Sequence, residues 1–387
     1  MRLKSLLNDI RAAGLWRSLR RVDGATGATY VYQGREVVGL CSNNYLGLAE
    51  HPAVRAGAIR AIEEYGAGSG GSRLISGNLA IHEALESRLA AFKGTEAALL
   101  FNSGYHANLG IIPTLAGPDD FLYSDALNHA SMIDGCRLSK AQLRIYRHAD
   151  AGHLETLLKS DAGKGGRQLI LTDSVFSMDG DVAPLPDIVH VAEAVGADVM
   201  VDEAHGTGVL GDHGRGVVDH FGLRDRIAIQ MGTLGKSLGS FGAYVAGDRD
   251  LIDTLINRAR TFIFTTALPP SACGAALAAL DILEQDPSRV ARLWKLTAVF
   301  RAALESEGLS PLGDTPIVPI IVGEPEATVA ASQALLDDGF HIQAIRPPTV
   351  AAGSSRLRAT VTAAHTEDQL HAAARAIART LHGRPNA

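Results

Sequence analysis

Lys236 sits in Thr233-Leu-Gly-Lys-Ser-Leu-Gly239, a run of otherwise small and apolar residues that follows the apolar stretch Ile227–Gly232. A lysine at the mouth of a buried strand loses hydration, and its neutral amine becomes a nucleophile for carbonyl carbon. Asp202 closes an earlier apolar run, Ala197–Val201, and His205 follows in Asp202-Glu-Ala-His-Gly-Thr-Gly208. Open parallel sheets bind ligands at the carboxyl ends of their strands, so Asp202 and Lys236 are expected at one edge. An aspartate there is what a pyridine nitrogen needs to stay protonated, so that the ring can withdraw electrons. Singly, Asp202 could cap a turn and Lys236 could be a surface lysine. The coincidence of several roles in one place is what argues for a site.

The elements that would position these groups are short apolar runs alternating with helical patterns. The runs are Ala97–Phe101, Phe121–Ser124, Leu143–Tyr146, Gln168–Thr172, Asp198–Asp202, Ile227–Gly232 and Ala243–Ala246. Buried strands joined by crossover helices predict an α/β fold, a mostly parallel sheet with helices on both faces. Before this block come a helix over about Leu3–Arg20 and an extended region, Thr29–Cys41, turning at Gly34. After it, Pro269-Pro270 precedes a long helical stretch to about Ser306. The rest reads as strand Ile317–Val322, helix Ala327–Asp338, strands His341–Arg346 and Arg356–Thr362, and helix Thr366–His382. The expected division is an N-terminal segment over 1–45, a large domain over 46–285 and a small α+β domain over 286–387.

A net charge of -6 argues against nucleic acid as a partner. The basic stretch Arg11–Arg21 reads as a solvated helix face. No apolar run has the length of a membrane span or the pattern of a signal peptide. Cys41, Cys136 and Cys273 are widely spaced, which suggests reduced thiols in a soluble cytoplasmic protein and no metal site. Three short patterns fail on context. Gly66–Gly71 fits a dinucleotide fingerprint but follows a helix, and Gly206–Gly211 is followed by turn-formers where a helix should open. Gly235–Gly239 fits a hydrolase nucleophile elbow around Ser237, yet Ser-Phe-Gly-Ala follows it.

Ordered along the chain are Ser42-Asn-Asn-Tyr-Leu-Gly-Leu48, Gly68-Ser-Gly-Gly-Ser-Arg73, Asn102-Ser-Gly-Tyr-His106 and Asn128-His-Ala-Ser131. Ser174-Val-Phe-Ser-Met-Asp-Gly180, the Asp202–Gly208 run, the lysine run and Phe264-Thr-Thr-Ala-Leu-Pro-Pro270 complete the series. Together they resemble the α-oxoamine synthases, fold-type-I pyridoxal-phosphate enzymes, from Arg17 to about His365. That resemblance implies a large domain with a mostly parallel seven-stranded sheet and a small C-terminal α+β domain. Ala344-Ile-Arg-Pro-Pro-Thr-Val350 followed by Ser355-Arg-Leu-Arg358 looks most like the biotin-pathway branch. Asn44 and Glu203 depart from the family's more common aspartate, and neither change removes a group the chemistry needs.

The resemblance implies pyridoxal 5'-phosphate held by Lys236 as a Schiff base, with Lys236 also moving the substrate's α-proton. Asp202 would pair with the ring nitrogen and His129 would stack on the ring. His205 and Ser177 would lie near the phenolic oxygen. Gly104, Tyr105 and Thr233 would hold the phosphate, joined by Thr265 or Thr266 of a second subunit, which implies a homodimer with a shared site. Arg358 would clamp the amino-acid carboxylate, assisted by Asn43, while Arg17 and Thr349 would contact the acyl substrate. The implied substrates are L-alanine and pimeloyl-CoA or pimeloyl-acyl-carrier protein. The rival within the family takes glycine with another acyl-CoA, as in 2-amino-3-ketobutyrate or 5-aminolevulinate formation. His82, His106, His148 and His153 read as structural.

Overall fold

The computed structural model describes residues 3–12, 15–17 and 19–383. Its first helix is Leu3–Ala12, shorter than expected. Residues 15–17, 19 and 20 are not helical, and 13, 14 and 18 lie outside the described residues. None of the helix's residues is buried, so no packing extends it. Strands β1 (Val22–Asp23), β2 (Thr29–Tyr32) and β3 (Arg35–Gly39) follow. The β2–β3 hairpin turns on Gln33 and Gly34 with φ of 50° and 80°, the two positive values a tight hairpin turn requires.

The main sheet is built from β4 (Ala97–Phe101), β5 (Phe121–Asp125), β6 (Gln142–Tyr146), β7 (Gln168–Asp173), β8 (Asp198–Asp202), β9 (Ile229–Thr233) and β10 (Ala243–Gly247). Their spatial order is β4-β10-β9-β8-β7-β5-β6, with only β10 antiparallel to its neighbours. Both faces are covered, which is why the strands read as unbroken apolar runs. Alternate residues enter two different cores. Ala98, Leu100, Tyr123, Ile170, Val199, Val201 and Tyr244 face one, and Leu99, Leu122, Leu171, Met200 and Val245 face the other.

The expected long helix after Pro269 is two helices, Pro270–Gln285 and Ser288–Ser306. Pro287 has no N–H to continue the first, and the chain restarts one residue later. Beyond them lie β11 (Ile317–Gly323), helix Pro325–Asp337, β12 (Phe340–His341), β13 (Gln343–Ile345), β14 (Ser355–Thr360) and helix Glu367–His382. The single strand expected over His341–Arg346 is divided between two sheets. Phe340 and His341 pair with Val38 and Gly39 of β3, whereas Gln343–Ile345 pair with β14. The fully buried Ile342 is the crossing point. Strands β11, β14 and β13 form the small C-terminal sheet, with β14 in the middle.

Candidate active site

Two strand ends form the floor of the site. Asp202 closes β8 and is 3% exposed. Its Oδ2 accepts from Asn108 Nδ2 at 2.9 Å, and its Oδ1 accepts from the Ala204 N–H at 2.9 Å. Asp173 closes β7 in register with Asp202 and is also buried. Burial and the adjacent Asp202 push the Asp173 carboxyl well above the usual range. Asp173 Oδ2 accepts the His129 N–H at 2.8 Å, and its own N–H donates to Asn128 Oδ1 at 2.9 Å.

A chain of hydrogen bonds runs from the floor to His129. Asn108 Nδ2 donates to Ser131 Oγ at 2.9 Å, and Ser131 Oγ lies 2.7 Å from His129 Nδ1. The Ser131 N–H also points at that ring nitrogen, 3.3 Å away. His129 Nδ1 is therefore an acceptor, and the neutral ring carries its proton on Nε2. Burial lowers the His129 pKa, against the pull of Asp202 and helped by Lys236.

Lys236 follows β9 in a tight turn. The Gly239 N–H returns to Lys236 O at 3.0 Å, and the Ser240 N–H to Leu234 O at 2.9 Å. Gly239 has φ +60°, and a Cβ there would lie 2.3 Å from the Ala49 nitrogen, so only glycine lets the turn seat against Leu48–Ala49. Burial draws the Lys236 ammonium down to about 8, with Asp202 and Asp173 opposing and Arg358 adding to the fall. A good fraction is thus neutral near physiological pH, as an imine-forming lysine requires.

Above the lysine, His205 Nδ1 lies 2.6 Å from the Tyr45 hydroxyl. Burial pushes the Tyr45 phenol up to about 12, so it keeps its proton and donates. Burial first, then Lys236, Arg358 and His129, hold His205 neutral. Its Nε2–H is the free donor. Arg358, on β14, is 6% exposed. Its Nε donates to Ser177 O at 2.5 Å, Nη1 to Thr360 Oγ1 at 3.0 Å and Nη2 to Asn43 Oδ1 at 3.3 Å. A guanidinium has five N–H groups, and these three bonds leave one on each terminal nitrogen, the pair a carboxylate takes, with the Tyr45 phenol also within reach.

The helix Gly104–Leu115 begins directly beyond β4, capped by Ser103, whose Oγ accepts from the His106 N–H at 3.2 Å. The Gly104 and Tyr105 N–H groups come before any intrahelical partner and suit an anion. Thr265 Oγ1 and Thr266 O both receive Asn102 Nδ2, at 3.0 and 2.9 Å, which places them beside the start of that helix. The Thr233 hydroxyl donates to Gly242 O at 3.0 Å and accepts from the Gly235 N–H at 3.2 Å. Arg17 and Thr349 lie apart from the floor and line a cleft of about 600 Å³ together with Arg20, Tyr32, His341 and Arg346. Thr349 also lines a cavity of about 140 Å³ that reaches Ser177, and so stands between the two spaces.

Asp173, Asn108, Ser131 and Tyr45 were not singled out from the sequence. Asp173 ends an apolar run as Asp202 does, and Tyr45 lies inside a recognised segment; those signals were there to be read. Nothing local marks Asn108, which is an ordinary polar residue within a helix. Of the structural histidines, His82 is fully buried, 2.7 Å from Leu268 O, and His148 bridges Asp125 and Asp181. A cleft of about 620 Å³ below Arg73 and one of about 860 Å³ around Trp294 contain none of the site's chemistry. Among the described residues, no cluster suits a metal ion and no helix is long and apolar enough to cross a membrane.

Residues 35–377 match the family described as aminotransferase class I and II, and the chain belongs to it. Its fold is that of the fold-type-I pyridoxal-phosphate transferases, and its cofactor is pyridoxal 5'-phosphate. A buried carboxylate, a depressed lysine, a neutral ring donor and an open helix N-terminus around one sheet edge fit that group. The 8-amino-7-oxononanoate synthase of Geobacter sulfurreducens is 54% identical over 376 residues, covering 96% of each chain. That of Geotalea daltonii is 51% identical over 375 residues, 96% of this chain and 95% of its own. Among solved structures, serine palmitoyltransferase from S. paucimobilis superposes with a TM-score of 0.92 at 32% identity, over 98% of this chain and 97% of that one. The 8-amino-7-oxononanoate synthase from Francisella tularensis gives 0.77 at 29% identity, over 90% of this chain and 98% of that one.

Proposed function

We propose that this protein is a pyridoxal-phosphate-dependent acyltransferase of biotin biosynthesis. It condenses L-alanine with pimeloyl-CoA, or the acyl-carrier-protein thioester, to 8-amino-7-oxononanoate. The carrying observation is identity of 54% to a synthase of that name along 96% of the chain. The better superposition on serine palmitoyltransferase, at 32% identity, reflects shared backbone shape and weighs less for substrate choice. We further read residues 1–45, 46–285 and 286–387 as N-terminal segment, large domain and small domain. The free cysteines favour a cytoplasmic location.

When bound, pyridoxal phosphate supplies an electron-withdrawing ring that stabilises negative charge at the amino acid's α-carbon. Lys236 anchors it and, as a free amine, takes the α-proton. Asp202, fixed by Asn108 and Ala204, keeps the ring nitrogen protonated. His129 would stack on the ring face, leaving its Nε2–H for the acyl oxygen. His205 Nε2 would donate to the phenolic oxygen, with Ser177 near it. Gly104, Tyr105 and Thr233 would hold the phosphate, with Thr265 or Thr266 of a second subunit completing the cup. Arg358 holds the alanine carboxylate with its two spare N–H groups, steadied by Asn43. A carbon–carbon bond forms between the alanine α-carbon and the thioester carbonyl, and the carbon–sulfur bond breaks to release the thiol. The carboxylate is then lost as carbon dioxide, and the electron pair left on the α-carbon takes a proton, which protonated Lys236 can return. Arg17 and Thr349 border the cleft for the acyl chain. We read the functional unit as a homodimer with a shared site. Phe264 and Ile75, 70% and 84% exposed and flanking the Thr265 and Gly71 segments, are candidates for the covered surface.

The test is thiol release with product mass, using L-alanine and pimeloyl-CoA against glycine or L-serine with other acyl-CoA donors. Release with alanine and the oxononanoate mass is the expected result. Release only with glycine would move the protein to the rival branch and remove the acyl role given to Arg346–Thr349.

A further inference from the structure

Arg356 and Arg358 lie two residues apart on β14 and so project from the same face of the strand. Arg358 is used above; Arg356 is not, yet it is equally buried, at 5% exposure. A charge this far from water needs a partner. Its guanidinium pairs with the Asp179 carboxylate, and the same Nη1 reaches Met178 O at 3.3 Å. Its Nε donates to Ser354 O at 3.0 Å.

Asp179 belongs to the loop Ser174–Ala183, which also carries Ser177, the carbonyl partner of Arg358. The loop closes on itself through the Gly180 N–H to Phe176 O, 2.8 Å, and the Ala183 N–H to Ser174 O, 3.0 Å. From the large-domain side it is held by His148, whose Nε2 lies 2.9 Å from Asp181 while its ring stands edge-on to Phe176 at 4.4 Å. From the other side, Thr315 Oγ1 and the Asp314 N–H both reach Gly180 O at 2.9 Å. Thus β14 grips one loop at two points, Ser177 through Arg358 and Asp179 through Arg356.

We infer that Arg356 is a positioning residue for amino-acid binding. By fixing Asp179 it holds the Ser177 carbonyl against Arg358 Nε, which sets the plane of that guanidinium and aims its two spare N–H groups. This inference rests on the reading of Arg358 as the carboxylate clamp. A clamp whose plane is free to rotate would have to be ordered each time substrate binds. Arg356 touches no reacting atom, so its loss weakens amino-acid capture and leaves the chemistry of bound substrate largely intact.

The experiment uses holoenzyme carrying Arg356→Gln, Asp179→Asn and both changes together. L-Alanine affinity is read from the change in bound-cofactor absorbance, alongside both KM values, kcat and thermal stability. Each single change should weaken alanine binding about two- to thirtyfold, the range of coupling through a non-contacting residue. The double variant should bind no worse than the weaker single one, while kcat and the acyl-donor KM move less than about twofold. Loss of thermal stability with alanine affinity unchanged would overturn the inference, and so would a rise confined to the acyl-donor KM. Asp179→Asn, at a half-buried carboxylate, keeps the test open if Arg356→Gln does not fold. Arg358→Lys is measured in parallel. If it leaves alanine affinity unchanged, the clamp reading itself fails. If it weakens alanine while the other variants do not, only the present inference fails.

Discussion

The floor of the site and the wall facing it are made in different ways. The floor is two adjacent strand ends and the turn after a third, with Asp173, Asp202 and Lys236 set by sheet register and backed by helices on both faces. The wall is β14 and the loop it grips. Its arginine side chains reach Asp179 and Ser177 of that loop across more than 170 residues of sequence. A group fixed by backbone register can be aimed at a cofactor that stays in place. A group fixed by side-chain pairs suits a substrate that must enter and leave. Lesions in the floor should therefore appear in kcat and cofactor retention, and lesions in the wall in amino-acid KM.

The largest effect should come from Lys236→Ala, which removes both anchor and proton carrier. Turnover should fall on the order of 10³-fold or more, with loss of the cofactor's lysine-bound absorbance band. Retained turnover would sink the assignment. Asp202→Asn keeps the shape but not the charge, and kcat should drop about 10²–10³-fold with alanine KM little changed. A KM effect of that size instead would erase the contrast between floor and wall. Arg358→Lys replaces a two-pronged donor by a point charge and should raise alanine KM roughly tenfold or more in steady-state assays.

A pH series tests the floor more gently. The Lys236 ammonium sits near 8, below its ordinary 10.5, so the reactive neutral amine becomes more abundant as pH rises toward 8. Capture of pyridoxal phosphate by the apoenzyme, followed by absorbance, should speed up about tenfold per unit below that point and level off above it. A plateau reached only above pH 10 would mean that burial does not depress the group. Asp173→Asn should have the smallest effect, within about threefold in kcat, because burial and Asp202 already disfavour its charge and the amide oxygen can still accept the His129 N–H. A loss as deep as that of Asp202→Asn would show that the pair shares its charge.

The same contrast explains what the sequence reveals. The sheet strands are legible as runs rich in apolar residues because most of them are buried on both faces; the edge strand β6 keeps Arg144 and leaves Ile145 exposed. Asp202 and Lys236 stood out because they end such runs. His341–Arg346, by contrast, reads as one strand, and its division at Ile342 depends on what β3 and β14 offer as partners. The break at Pro287 was written in the residue type and was overlooked within a strongly helical stretch. Asn108 and the Arg356–Asp179 pair leave no local trace. Their meaning lies in partners that only the folded chain brings near.

The contact of Gly239 with Ala49 ties the cofactor lysine to the segment that precedes the large sheet. The turn around Lys236 packs directly on Leu48–Ala49, and the same segment supplies Tyr45 to His205 and Asn43 to Arg358. Cofactor colour is therefore a reporter of maturation. A chain truncated to begin after Ala49 could complete every strand of the large sheet and still stay colourless.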